Sequence, residues 1–226
     1  MSRLPKAVAA IGIPLAWSNL VLPGLGLGVR GRTAANAGFA TAYAVAFQGV
    51  PDWFSAKGLR YGAVSAALVA AGYGVALTIP SARKGLAAAA DRAPDIPIAE
   101  WAGVHIPIGT VYSEELIFRA TLEPLLDNAF GPIAGAVVGS SAFGFWHVHP
   151  ARAAGDSVAV TVAATAAGGF VLGWLRRRTA SATAPALLHL ATNAGGAIAP
   201  QLARRPSFGQ GKARLSPNGL VAGGDR

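Results

Sequence analysis

The sequence predicts an all-α fold: a single integral-membrane helix bundle over residues 1–203, with about seven transmembrane helices. Two observations predict it. The chain of 226 residues is 53% hydrophobic and only 13% charged, whereas soluble domains carry about 25% charged residues. Its charges also leave seven long gaps, at 7–29, 33–51, 61–82, 101–113, 128–151, 157–175 and 179–203. Six of the seven reach 19 residues, and roughly 20 apolar residues span a bilayer core.

The gaps place helices near 7–27, 33–50, 61–80, 102–126, 131–149, 157–175 and 182–200. The first has a basic start followed by an apolar run, as a signal peptide would. No small-residue cleavage site follows, so it is read as the first helix. The third contains no charge and no amide side chain over 61–82, and so cannot supply the polar face a soluble helix needs. The fourth gap is short only because it meets Glu114, Glu115 and Arg119, after which apolar sequence resumes up to Leu126. Pro51, Pro80, Pro132 and Pro150 stand at or beside the breaks, where proline ends helices. Segment 83–100 reads as a polar connection with a short interfacial helix before Pro94. The tail, 204–226, is rich in Gly, Pro and basic residues and is expected to lack fixed structure.

Composition also excludes several functions. With no cysteine there is no disulfide framework, cysteine nucleophile or thiolate metal site. A net charge of +9 would suggest nucleic acid in a polar protein. Here the basic residues cluster between apolar runs, as membrane proteins distribute them, so the partner is the lipid bilayer and no nucleic acid is expected. Seven spans would put Arg176–Arg178 and the basic tail on opposite sides, so charge bias sets no orientation. High Ala, Gly and Arg usage points to a GC-rich bacterial source and to its cell membrane.

Of the 29 charged residues, only Glu114, Glu115, Arg119 and Glu123 fall inside an expected span. A charge in hydrocarbon costs roughly 2.5–3.5 kcal/mol even on the lenient insertion scale, so such residues usually face a cavity and serve function. At about 100° per residue, Glu115 and Arg119 are i,i+4 neighbours suited to an ion pair. Glu114 would point about 140° away from Arg119 on the same wheel. A helix–helix clamp explains Glu115 and Arg119 but leaves Glu114 over. Two further apolar helices carry Phe143 with His147 and His189 with Asn193, each pair at i,i+4.

The series Glu114-Glu115-x-x-x-Arg119, Phe143-x-x-x-His147 and His189-x-x-x-Asn193, in order on three helices, resembles the CPBP intramembrane proteases. That family includes CAAX prenyl endopeptidases and bacterial abortive-infection and bacteriocin-processing proteins. The resemblance covers about residues 100–200. Phe145-x-x-x-His149 fits the second motif too, but the family's Phe-Gly pair before the histidine selects Phe143-Gly144 and His147. His149 then reads as a helix-end residue before Pro150, and His105, which fits no motif, as an interface residue. Ala120 stands where many members have glycine, a small-for-small change.

The resemblance implies an intramembrane endopeptidase acting on a membrane-associated or lipidated peptide or protein. Glu114 and His147 would hold and activate water, and His189 and Asn193 would stabilise the oxyanion. Glu115 and Arg119 would fix the helix, and Phe143 would pack the motif. Serine catalysis lacks a Gly-x-Ser-x-Gly element, and Ser113 reads as helix packing. Glu114, His147 and His189 would also make a His₂Glu zinc set with an open position. A metal-independent site is preferred, because Asn193 and a separate base make sense without zinc. Two other readings use the same residues: a non-proteolytic immunity or scaffold protein, and a transporter with a Glu/His proton relay. The second lacks the inverted repeats common in transporters.

Overall fold

The computed structural model describes residues 3–204, and among these there is no strand. Nine helices of six or more residues follow one another among the described residues: α1 (3–24), α2 (Val29–Phe47), α3 (Ala56–Thr78), α4 (Pro80–Ala89), α5 (98–130), α6 (Pro132–Trp146), α7 (Val148–Ala153), α8 (Val158–Thr179) and α9 (Thr183–Arg204). Seven of them correspond to the seven expected from the charge gaps. The short α4 occupies the start of the expected polar connection. The expected 131–149 helix ends instead at Trp146, and the short α7 starts at Val148 and runs past the expected break at Pro150 to Ala153. The tail from residue 205 lies outside the described residues.

α1, α3 and α8 are long and apolar enough to cross a membrane by length and composition. They turn Val8, Leu20, Leu68 and Val160 outward, as lipid-facing surfaces should be. In α3 only 6% of the most apolar window is buried. The other long helices carry polar residues that the bundle encloses. This is an integral membrane bundle.

Local chemistry sets the breaks. Ser55 caps α3 by accepting from Gly58 N–H at 3.0 Å. Gly131, at φ +81°, reverses the chain between α5 and α6, with Pro132 opening the next helix. α3 meets α9 through Gly58 and Gly62, where a Cβ would collide with Ser181 and Leu187 side chains. Such small-xxx-small spacing lets membrane helices approach closely. Proline inside a helix frees the carbonyl four residues earlier, and neighbours take up those carbonyls. Tyr43 Oη donates to Ala10 O, freed by Pro14, at 2.8 Å. Val50 N–H donates to Ala120 O, freed by Pro124, at 3.0 Å.

Candidate active site

α5 is a widened helix. It runs with π-type turns over Trp101–Tyr112 and Glu115–Leu122, and the Ser113 and Thr121 hydroxyls reach carbonyls five residues back, those of Ile108 and Leu116. Pro107, inside the first stretch, has no N–H for the ordinary ladder. π-turns cluster at functional sites. Wider turns mean a smaller rotation per residue than the 100° of an α-helix, so Glu114 and Glu115 diverge less than an ideal wheel predicts. The structure shows the result: both carboxylates approach one imidazole. His189 Nδ1 stands 2.8 Å from Glu115 Oε1, and its Nε2 stands 3.8 Å from Glu114 Oε2.

The expected Glu115–Arg119 pair is present at 3.4 Å, with both side chains fully buried. It is one rung of a longer strip along α5. Arg119 stands 3.6 Å from Glu123, Glu123 stands 3.4 Å from Arg177 on α8, and Arg177 clasps Asp127 at 2.8 and 3.1 Å. Glu115, Arg119, Glu123 and Asp127 recur every four residues, a signal open to sequence reading. Arg177 is supplied by the fold alone. The Arg119 guanidinium also lies 4.4 Å from the centroid of the Phe143 ring, within cation–π range. Phe143 meets His147 edge-to-face at 5.0 Å and lies 6.1 Å from His189. Phe143 thus touches the ionic strip on one side and both motif histidines on the other.

A cavity of about 710 Å³ opens beside this strip. Glu114, His147 and Asn193 line it, with Trp146, Ser18, Asn36 and Tyr73. Glu114 is buried and accepts from Trp146 Nε1–H at 3.1 Å, while its Oε2 has no hydrogen-bond partner among the described residues. His147 Nδ1 lies 2.8 Å from Phe143 O. A carbonyl can only accept, so Nδ1 carries a proton and, in the neutral ring, Nε2 keeps the lone pair. Residues 89–94, ending at Pro94, close the cavity on one side, tied down by Arg92–Asp156 at 2.6 Å and by Arg204–Asp91.

Three placements differ from the sequence expectation. His189 is not among the residues lining the cavity; it stands between the two carboxylates, 3.8 Å from Glu114 and 2.8 Å from Glu115. His105 is buried rather than interfacial, bonded to Thr33 Oγ1 at 2.7 Å and Glu100 at 3.1 Å. Trp146, as the donor to Glu114, was missed, because an indole beside a motif histidine looks like ordinary packing. His149 lies on α7 with its Nδ1 buried and unpartnered, and it is not among the residues lining the cavity that holds Glu114. Ser113 is buried and bonded to its own helix, as expected of a packing residue. The zinc set does not fit as placed: among the described residues no three His, Asp or Glu side chains converge to hold a metal.

Residues 97–195 match the family model of Rce1-like type II CAAX prenyl endopeptidases. The match spans the same three helices that bring Glu114, His147 and Asn193 to one cavity. These residues are similar to the core of that protease family. Neither a curated protein nor a solved structure matches the chain. Within the matched residues, α5 and α8 supply the ionic strip, α6 the Phe143 ring, and α5, α6 and α9 the Glu114, His147 and Asn193 side of the cavity. Helices α1 and α2, outside the matched residues, close the cavity through Ser18 and Asn36.

Proposed function

We propose that the chain is an intramembrane endopeptidase that hydrolyses a peptide bond of a membrane-associated or lipidated protein, using water activated by Glu114. The observation that carries the reading is a buried carboxylate with one oxygen held by Trp146 and the other without a hydrogen bond among the described residues, 3.8 Å from His189, on a cavity shared with His147 and Asn193. Glu114 takes a proton from water as the oxygen adds to the scissile carbonyl carbon. His147 Nε2 accepts the water's second hydrogen and aligns its lone pair. The Asn193 amide, which makes no side-chain hydrogen bond among the described residues, donates to the oxyanion. Collapse of the tetrahedral intermediate breaks the C–N bond, and the proton on Glu114 passes to the departing amine. Glu115 and Arg119 fix α5, and His189 stands between Glu115 and Glu114.

No step of this scheme runs through a metal. Detergent-purified protein incubated with a peptide library, wild type beside Glu114→Ala, tests the class. Cleavage by wild type alone, retained in EDTA, is expected. A folded wild type that cleaves nothing would favour a scaffold or immunity role, and cleavage restored only by added zinc would favour the His₂Glu metal site.

A further inference from the structure

The break between α6 and α7 is propped open by a helix outside the matched core. Pro150 has no N–H, so Trp146 O loses the donor four residues on. Ser18 Oγ on α1 donates to that carbonyl at 2.7 Å. The next rung, from His149 N–H to Phe145 O, is also open, and the Asn19 side chain stands in it. Asn19 Oδ1 accepts from His149 N–H at 2.8 Å, and Asn19 Nδ2 donates to Phe145 O at 3.0 Å. The same Nδ2 donates to Leu15 O at 2.9 Å. Both amide hydrogens and the oxygen are therefore used, and a flipped amide would set its oxygen against two carbonyls.

What hangs on the opening is the site. His147 sits at its centre with φ −92° and ψ 7°, the sparsely populated bridge conformation where site residues are often found. Its N–H turns back to Gly144 O at 3.0 Å, and its ring lies on the cavity with Nδ1 on Phe143 O. One residue earlier, Trp146 carries the N–H that holds Glu114. Closing the His149–Phe145 rung as regular helix would turn both side chains away from these positions.

We propose that Ser18 and Asn19 are positioning residues: they hold the α6–α7 break open, and the break aims His147 and Trp146 at the cavity and at Glu114. The kinetic consequence rests on the peptidase reading above; the geometric one does not. This makes α1 part of the site rather than an accessory span.

The test is nitrogen NMR of the full chain in detergent micelles, labelled at histidine, with His147 assigned through His147→Gln. Wild type should show His147 protonated at Nδ1. In Asn19→Ala that signal should move toward the Nε2-protonated form, with a smaller shift in Ser18→Ala. Thr41→Ala, which removes a hydrogen bond to Tyr112, should leave it unchanged. In the peptidase assay Asn19→Ala should lose about 10²-fold in kcat, as a small misplacement can, with KM little changed. Should Asn19→Ala fail to fold, Ser18→Ala and Asn19→Asp, which keeps the acceptor and loses the donors, decide in the same way. A folded variant with wild-type His147 signals would overturn the proposal. A wild type that cleaves no peptide would overturn the peptidase reading and leave the NMR result to judge this one.

Discussion

α3 and α5 both lie in the same bundle, yet they treat polarity in opposite ways. α3 carries no charge after Arg60, and almost all of its apolar window faces outward. Its one buried edge is made of glycines, Gly58 and Gly62, set against α9. α5 carries Glu114, Glu115, Arg119 and Glu123, each no more than 6% exposed. In a membrane, then, a helix without polar groups can be left at the periphery. A helix with four buried charges must be wrapped, and the wrapping joins three of them in carboxylate–guanidinium pairs. Glu115, Arg119 and Glu123 are consumed by the strip that ends on Arg177, and Glu114 is turned to the cavity.

The comparison can be broken most severely at the strip. Arg119→Ala or Glu115→Ala strands a buried charge, which costs about 3–5 kcal/mol. Both variants should express poorly or melt well below wild type in detergent; wild-type melting would remove the strip from the account. A smaller effect is expected on α3. Gly62→Val drives a side chain into Leu187 and Ala184 and should destabilise by about 1–3 kcal/mol, as overpacking does. Gly72→Ala, with open space around its Cα, should change stability by no more than roughly 0.5 kcal/mol. Equal effects at the two glycines would mean that α3 is not the peripheral helix it looks to be.

The smallest effect lies at the start of α5, where Arg30 grips Glu100 at 2.7 and 3.0 Å. The hydrogen bond from Arg30 and a second one to His105 lower the Glu100 carboxyl from 4.5 to about 2. A carboxyl held low in the fold stabilises above its unfolded value and loses that contribution as pH falls through the folded one. The melting temperature of Glu100→Gln relative to wild type should therefore be constant above about pH 5 and converge between pH 4.5 and 2. A difference that changes between pH 6 and 8 would place the titration elsewhere.

The sequence made much of this legible. Charge gaps alone located the seven long helices, because hydrocarbon tolerates so few charges that their absence marks a span. Three motifs in order brought Glu114, His147 and Asn193 together before any coordinates. What remained hidden was non-local. An ideal helical wheel sent Glu114 and Glu115 apart, whereas the π-turns of α5 let His189 meet both. Pro150 signalled a helix end, yet nothing in FGFWHVHP says that Asn19, 130 residues earlier, fills the opened rung. Arg177 is one of three consecutive arginines in the sequence, and only the packing of α8 sets it against Glu123 and Asp127.

The central claim is a division of labour between adjacent carboxylates, and one paired measurement tests it: melting temperature and peptide turnover of Glu114→Gln beside Glu115→Gln. Glu114→Gln should melt near wild type and lose about 10²–10⁴-fold in turnover, the share of a general base. Glu115→Gln should melt measurably lower, since it weakens the Arg119 and His189 contacts, and its turnover should fall only with the folded fraction. Near-wild-type turnover by Glu114→Gln, or the same pattern in both variants, would contradict the account.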